Sequence, residues 1–384
     1  MKRLFLFLSA SLLLVACGNQ PDQSGQQPKT LPENVETYTD ATHFHDLLFT
    51  TADMEYTFDK WQSAGFEAWQ KAFRKALKKR LGITAIEESL QGFQPTAKQE
   101  DCTDLGDYTR ERWVIQTEPT VPLPIVILRP KNIQGKLPLV ITPHGHGKNT
   151  EQYAGVYENE ADSISAIDGE RNIAVQAIQE GYIAITPTAR GFGRTRIEAD
   201  LKADNTSSCH TLLLHDLLVG RTPIGDRVWD MMKIIDWSLA NLPVDVNNII
   251  VTGNSGGGTT SLFTGAIDTR VSMSLPGSYF CTFAESIGSV PHCECNYIPG
   301  VLDLGEMYDI AGLTAPRYFC AIHGEKDPIF PAKATRFAFS KLQEIYKAAG
   351  VPDRCQVYFG PQGHRYYKAG AWPFVKEHLA AASR

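Results

Sequence analysis

The chain has no excess of charge of either sign. Its 37 lysines and arginines face 43 aspartates and glutamates, a net charge of −6 at pH 7 with 21% of residues charged. Such a balance gives no electrostatic reason to expect nucleic-acid binding, and it disfavours strongly anionic substrates unless a local basic pocket overrides the average. No internal repeat is visible, which sets aside a stacked-repeat architecture. Long apolar runs are also missing. The main one, Leu4 to Val15, is too short to span a bilayer comfortably.

That short run has a specific context. Lys2 and Arg3 precede it and Leu14-Val15-Ala16-Cys17 closes it, a pattern that resembles a bacterial lipoprotein signal. The resemblance implies cleavage before Cys17, lipidation of that residue, and a membrane partner through the anchor. Gly18 in place of an aspartate favours the outer membrane of the cell envelope. A conventional secretion signal or an uncleaved anchor is the alternative. Residues 18–40 are polar, rich in Gln, Pro, Ser and Gly, and read as a flexible tether.

Residues 41–110 are expected to form a helical extension. Phe66, Trp69, Phe73, Ala76 and Leu77 recur at helical spacing and Gly82 is placed as a stop, which predicts one amphipathic helix over 57–81. Its Arg74-Lys75 and Lys78-Lys79-Arg80 cluster reads as a solvated face rather than a site for an anionic partner.

From residue 111 to 384 the pattern changes. Arg112 to Gln116 and Pro124 to Leu128 look like an antiparallel hairpin at a sheet edge, after which apolar runs alternate with helical stretches. Residues 226–242 put Val228, Met231, Met232, Ile235, Leu239 and Leu242 on one face, and residues 333–349 do likewise with Ala334, Ala338, Leu342 and Ile345. Alternation of this kind predicts an α/β fold with a mostly parallel, doubly wound sheet.

One β-branched run, Ile249-Ile250-Val251-Thr252, ends in Gly253-Asn254-Ser255-Gly256-Gly257. This pattern describes a strand turning sharply into a helix with the serine hydroxyl at its tip. An acid and a histidine follow in order. Asp327 lies beyond the apolar run Tyr318 to His323, and His364 lies in the Gly/Pro loop after Cys355 to Phe359. Loops at the carboxyl ends of strands are where an open α/β sheet builds its site, so Ser255, Asp327 and His364 can converge despite their separation. A serine hydroxyl needs an adjacent base, which His364 can supply while Asp327 orients it. Activity should then fall as pH drops through the imidazole range. Upstream, the strand-like Leu137 to Ile141 runs into His144-Gly145-His146-Gly147. Backbone N–H groups of His146 and Gly256 are the candidate oxyanion hole, each worth about 3 to 4 kcal/mol. His323 is expected to pack rather than react, and helix capping is the plainer role for Asp327.

With these residues the chain resembles the α/β-hydrolase superfamily, and within it the acetyl xylan esterase and dienelactone hydrolase-like group. The resemblance covers roughly residues 110 to 384 through His144-Gly145-His146-Gly147, Arg190-Gly191-Phe192-Gly193, Gly253 to Gly257, His323 to Asp327, and Gly363-His364. It implies a serine ester hydrolase that removes acetyl or other small acyl groups from a small-molecule or polysaccharide ester, with no cofactor. Several acetyl esterases carry a tyrosine after the first His-Gly, where this chain has His146. A prolyl oligopeptidase-like peptidase shares the triad, but this chain is too short for the accompanying propeller. A catalytically silent glycan-binding lipoprotein is the rival from another class.

Residues 278–300 have no clear period and fall where this fold often inserts a cap. Arg190, Tyr279, Phe280 and His292 are the candidate substrate contacts. The aromatics either stack on sugar rings or form a small satellite core, and Arg190 either meets a substrate carboxylate or ties loops together. Of the eight cysteines, seven remain once Cys17 is set aside. Cys281, Cys293 and Cys295 offer soft ligands beside His292, but their spacing matches no common zinc module. No metal is expected there; a loop-pinning disulfide or buried thiols are.

Overall fold

A computed structural model of the protein describes residues 41–147 and 150–382. The expected signal sequence, Cys17 and the tether lie outside the described residues. Among those described, no helix is long and apolar enough to cross a membrane. The chain divides into two units, Met1–Phe44 and His45–Arg384, and the fold is that of the second.

Its centre is a sheet of β1 (Thr96–Asp104), β2 (Tyr108–Glu118), β3 (Val121–Pro130), β4 (Leu137–Ile141), β5 (Ile183–Pro187), β6 (Val244–Asn254), β7 (Met273–Gly277), β8 (Tyr318–Gly324) and β9 (Cys355–Gly360), in the order β1-β2-β3-β5-β4-β6-β7-β8-β9. The β1, β2, β3 and β5 contacts are antiparallel and all later ones parallel. The central parallel strands are continuous apolar runs because helices cover both their faces; every residue of β5 and β7 is buried. Register aligns the ends that matter. Asn254 at the end of β6 pairs with Gly277, and Gly324 of β8 pairs with Gly360 of β9, so the loops after β6, β8 and β9 leave one edge of the sheet together.

Two sequence expectations change here. The extension is not helical to residue 110: its last helix ends at Ser89, and Thr96–Asp104 forms edge strand β1, paired with β2. Most residues of β1 are exposed on both faces, so no apolar alternation marked it as a strand. The single helix over 57–81 is instead a short helix Phe58–Trp61, a 3-10 turn, and helix Phe66–Arg80, separated at Gly65 with φ of 87°. Gly82, also left-handed, ends the long helix as expected.

Helix Phe66–Arg80 buries Trp69, Phe73 and Leu77 completely, in one cluster with Phe263, Ala266 and Ile267. Each such side chain contributes about 1.5–3 kcal/mol of transfer free energy. Polar ties fix the packing angle: Arg74 Nε donates to the Ala266 carbonyl at 2.9 Å and Gln70 donates to Leu313 at 3.2 Å. The helix beneath, Gly256–Ile267, is buried along its whole length. It tolerates this because Thr260, Ser261 and Thr264 return their hydroxyls to carbonyls one turn back, so these buried side-chain donors are paired.

Candidate active site

Between β6 and helix Gly256–Ile267 stands Ser255, with φ 56° and ψ −120°. A non-glycine residue held there stores strain of about 1–3 kcal/mol, which the surrounding structure must over-determine. It does so from both sides: Ser255 N–H donates to the Gly277 carbonyl at 2.8 Å, and the helix begins at the next residue. The flanking glycines are dictated by close approach. A Cβ on Gly253 or Gly257 would come within 2.2 or 2.0 Å of the Pro143 carbonyl oxygen.

Asp327 sits in the loop after β8 with its carboxylate fully buried. Its two oxygens are divided between tasks. One Oδ accepts the N–H groups of Ile329 and Phe330, each at 3.1 Å; the other accepts His364 Nδ1–H at 2.8 Å. One side chain therefore ties down its own loop and orients His364, although the helix that follows is capped at Pro331 and not at Asp327. Burial pushes this carboxyl upward, but the His364 hydrogen bond and charge, with the Ile329 N–H, outweigh it and hold the group below the usual carboxylate range. His364 comes from the loop after β9 and stacks on Phe330, with ring centroids 5.9 Å apart. With Nδ1 committed to Asp327, Nε2 is the nitrogen left for chemistry.

Ser255 borders two cavities. The larger, about 520 Å³, is shared with His364, His146, Tyr153, Asn254 and Arg171. The smaller, about 190 Å³, is shared with His146, Gly256, Thr259, Tyr279 and His292. Among the described residues no hydrogen bond joins Ser255 Oγ to His364. The two side chains border one cavity. Gly256 is the first residue of its helix, so its N–H has no partner within the helix.

The other expected contacts divide. Tyr279 and His292 line the smaller cavity, with His292 Nε2 3.1 Å from Ser286 Oγ. Phe280 does not: it is fully buried and packs edge-on against Phe319 at 5.4 Å, within the core of the domain. Arg190 is also absent from the site. Its guanidinium meets Glu118 at 2.7 Å, Asp226 at 3.1 Å and Asp230 at 2.6 Å, tying the end of β2 to helix Pro223–Asn241. Arg221 shares Glu118 and Asp226 with it, so two guanidiniums and three carboxylates form one network, which is the loop-tying role.

His144 and His323 are buried, and burial pushes each imidazole down to about 4, so both are neutral packing groups. His144 Nε2 accepts the Ala189 N–H at 3.0 Å. No disulfide is present among the described residues, whose seven cysteines are free. Cys281 also stands apart from Cys293 and Cys295; its thiol faces the Pro331 carbonyl at 4.0 Å.

Sequence reasoning missed the wall contributed by residues 152–171. Tyr153 is buried, and its hydroxyl accepts the Asn254 N–H at 3.4 Å. Arg171 reaches the cavity held by Ser165 Oγ at 2.6 Å. No catalytic motif marks this stretch; the Asn159 cap that starts helix Glu160–Asp168 was its one local signal.

A family model described as the Abhydrolase family matches residues 43–358, and the chain belongs to that family. The fold and this strand-to-helix serine turn are those of an α/β-hydrolase. Among individual proteins, the chain is 22% identical over 247 residues to the proposed hydrolase YtaP of Bacillus subtilis (strain 168), covering 63% of this chain and 77% of that one. It is similar in structure to a proposed acetyl xylan esterase of Bacteroides fragilis, with a TM-score of 0.71, 18% identity, and 88% and 84% of the two chains covered. A glucuronoyl esterase of Solibacter usitatus shares the fold at a TM-score of 0.55 and 15% identity, over 79% of this chain and 91% of that one.

Proposed function

We propose that the protein is a serine ester hydrolase that removes acetyl or similar small acyl groups from carbohydrate through an acyl-enzyme. The observation that carries this reading is that His364, held by buried Asp327, borders the same cavity as the strained Ser255 turn. The names of the similar structures, which are carbohydrate esterases, support the substrate class.

His364 Nε2 takes the Ser255 hydroxyl proton as Oγ bonds to the ester carbonyl carbon. Negative charge then moves to the carbonyl oxygen, where the N–H groups of Gly256 and His146 stabilise it. As the carbon–oxygen bond to the sugar breaks, the imidazolium returns the proton to the departing alcohol. Water repeats the sequence on the acyl-enzyme and releases the acid. Asp327 stabilises the imidazolium and fixes its tautomer throughout. The protein carries out this reaction at the cell envelope, tethered through lipidated Cys17.

Acetate release from a panel of acetylated polysaccharides tests the reading, with methyl-esterified pectin and a peptide amide as contrasts and Ser255→Ala as control. Release from acetylated sugars that vanishes in the variant is expected. Amide cleavage without ester cleavage, or release that survives Ser255→Ala, would overturn it.

A further inference from the structure

Beside Ser255 lies a second cluster that ester hydrolysis does not use. We propose that His146, Cys209, Cys293 and Cys295 form a tetrahedral Zn²⁺ site that clamps the loop after β4 to the insertion following β7. The four ligand atoms all lie within 4.8 Å of one another. His146 Nε2 is 2.8 Å from Cys295 Sγ, which is 3.5 Å from Cys293 Sγ. Zinc bonded at about 2.3 Å to sulfur in a tetrahedron spaces its sulfurs on the order of 3.8 Å apart, so small side-chain rotations convert this cluster into a coordination sphere.

The surroundings point to an anionic cluster. Arg227 is 3% exposed and, among the described residues, has no carboxylate partner. Its guanidinium instead lies 3.4 Å from Cys209 Sγ and donates to the Arg190 carbonyl at 2.9 Å, and its Nε is buried without a partner. A buried arginine needs a countercharge. Three thiolates and a neutral imidazole around Zn²⁺ carry a net charge of −1, which supplies it; the displaced thiol protons go to solvent. Ala189 and Phe192 pack with the thiols and keep water away.

The ligands come from three separate segments: the loop after β4, the start of helix Cys209–Leu218, and the 3-10 turn Glu294–Asn296 with its preceding residue. All four positions are filled by protein, so the ion is structural and leaves no place for water or substrate. Its effect on the reaction is positional. A Cβ on Gly256 would lie 2.7 Å from His146 Cε1, so the imidazole rests on the backbone that carries one proposed oxyanion donor while its own residue carries the other. Holding the ring holds both donors. The expectation of no metal rested on Cys281, Cys293 and Cys295 beside His292; in the structure Cys281 and His292 stand outside the cluster, which Cys209 and His146 complete.

The purified protein, reduced, loaded with Zn²⁺ and freed of unbound ion, is expected to hold one zinc per chain by mass-spectrometric metal analysis. Cys209→Ser and Cys293→Ser should each lose it, and Ser255→Ala should keep it, which separates failure of this site from failure of the esterase reading. Co²⁺ in its place should give sulfur-to-cobalt charge-transfer bands and intense tetrahedral d–d bands even if the cysteine variants do not fold. Chelation should lower kcat about 10-fold with little change in KM. Less than stoichiometric zinc in native, fully reduced protein, or octahedral Co²⁺ spectra, would overturn the proposal. A disulfide among these cysteines that Zn²⁺ with reductant does not replace would do the same.

Discussion

His364 and His146 both border the cavity at Ser255, one tied through Nδ1 to a buried carboxylate and the other through Nε2 to a thiol. The partner determines what each ring can do. A carboxylate stabilises the imidazolium and leaves Nε2 free, which suits a proton carrier. A cluster of thiols occupies Nε2 itself, so His146 cannot act as the base and serves as an anchor. Residue type alone does not distinguish the two; the neighbour does.

The roles of the two rings separate most sharply at Ser255. Ser255→Ala should cost on the order of 10⁴-fold or more in kcat while leaving the far-ultraviolet circular dichroism and zinc content unchanged. Asp327→Asn should reverse the tautomer preference of His364 and cost about 10³- to 10⁴-fold, measured as kcat/KM on an activated acetyl ester. Its stability effect has a defined sign. The native carboxyl sits below its unfolded value, so its contribution is present at neutral pH and is lost as pH falls through the native value. The asparagine variant should lack that acid limb in denaturant titrations. His146→Ala acts on the other partner and should lower kcat only about 10-fold, leaving the pH profile in place; loss of the imidazole-range dependence would mean that the roles of the two rings are exchanged.

The smallest effect concerns the insertion that carries the thiols. Glu306 anchors it by accepting the Phe283 N–H at 2.9 Å. Burial pushes the carboxyl up to about 7, against the pull of the Phe283 and Met307 N–H groups. A carboxyl raised on folding binds its proton more tightly in the native state, so stability declines as pH rises from the unfolded value towards 7. Glu306→Gln should flatten part of that decline, by about 1–3 kcal/mol at most, read from thermal midpoints at pH 5 and pH 8.

Legibility in the sequence followed the backbone. Ser255, Asp327 and His364 stood out because each lies in the turn or loop that follows a strand, and the parallel register brings those strand ends to one edge. Glycines enforced by the Pro143 carbonyl made the serine turn visible as well. Side-chain meetings that depend on packing were not readable. Cys209 joins Cys293 and Cys295 only because helix Cys209–Leu218 lies against the turn that holds them, and no spacing along the chain encodes that. Phe280 looked like pocket rim because its stretch has no helical or strand period and falls where this fold often inserts a cap, yet the chain folds it into the core. Strand β1 hid because an exposed edge needs no apolar face.

The complete burial of helix Gly256–Ile267 has a practical bearing on any attempt to shorten the protein. Its outer surface is roofed by Trp69, Phe73 and Leu77, so the sheet and its serine turn cannot be separated from residues 66–80 as an independent module. A truncation starting at the first long strand would bare Phe263 and Ile267 on the helix that follows Ser255. Such a fragment should self-associate, and the strained turn that depends on that helix would relax before any substrate arrived.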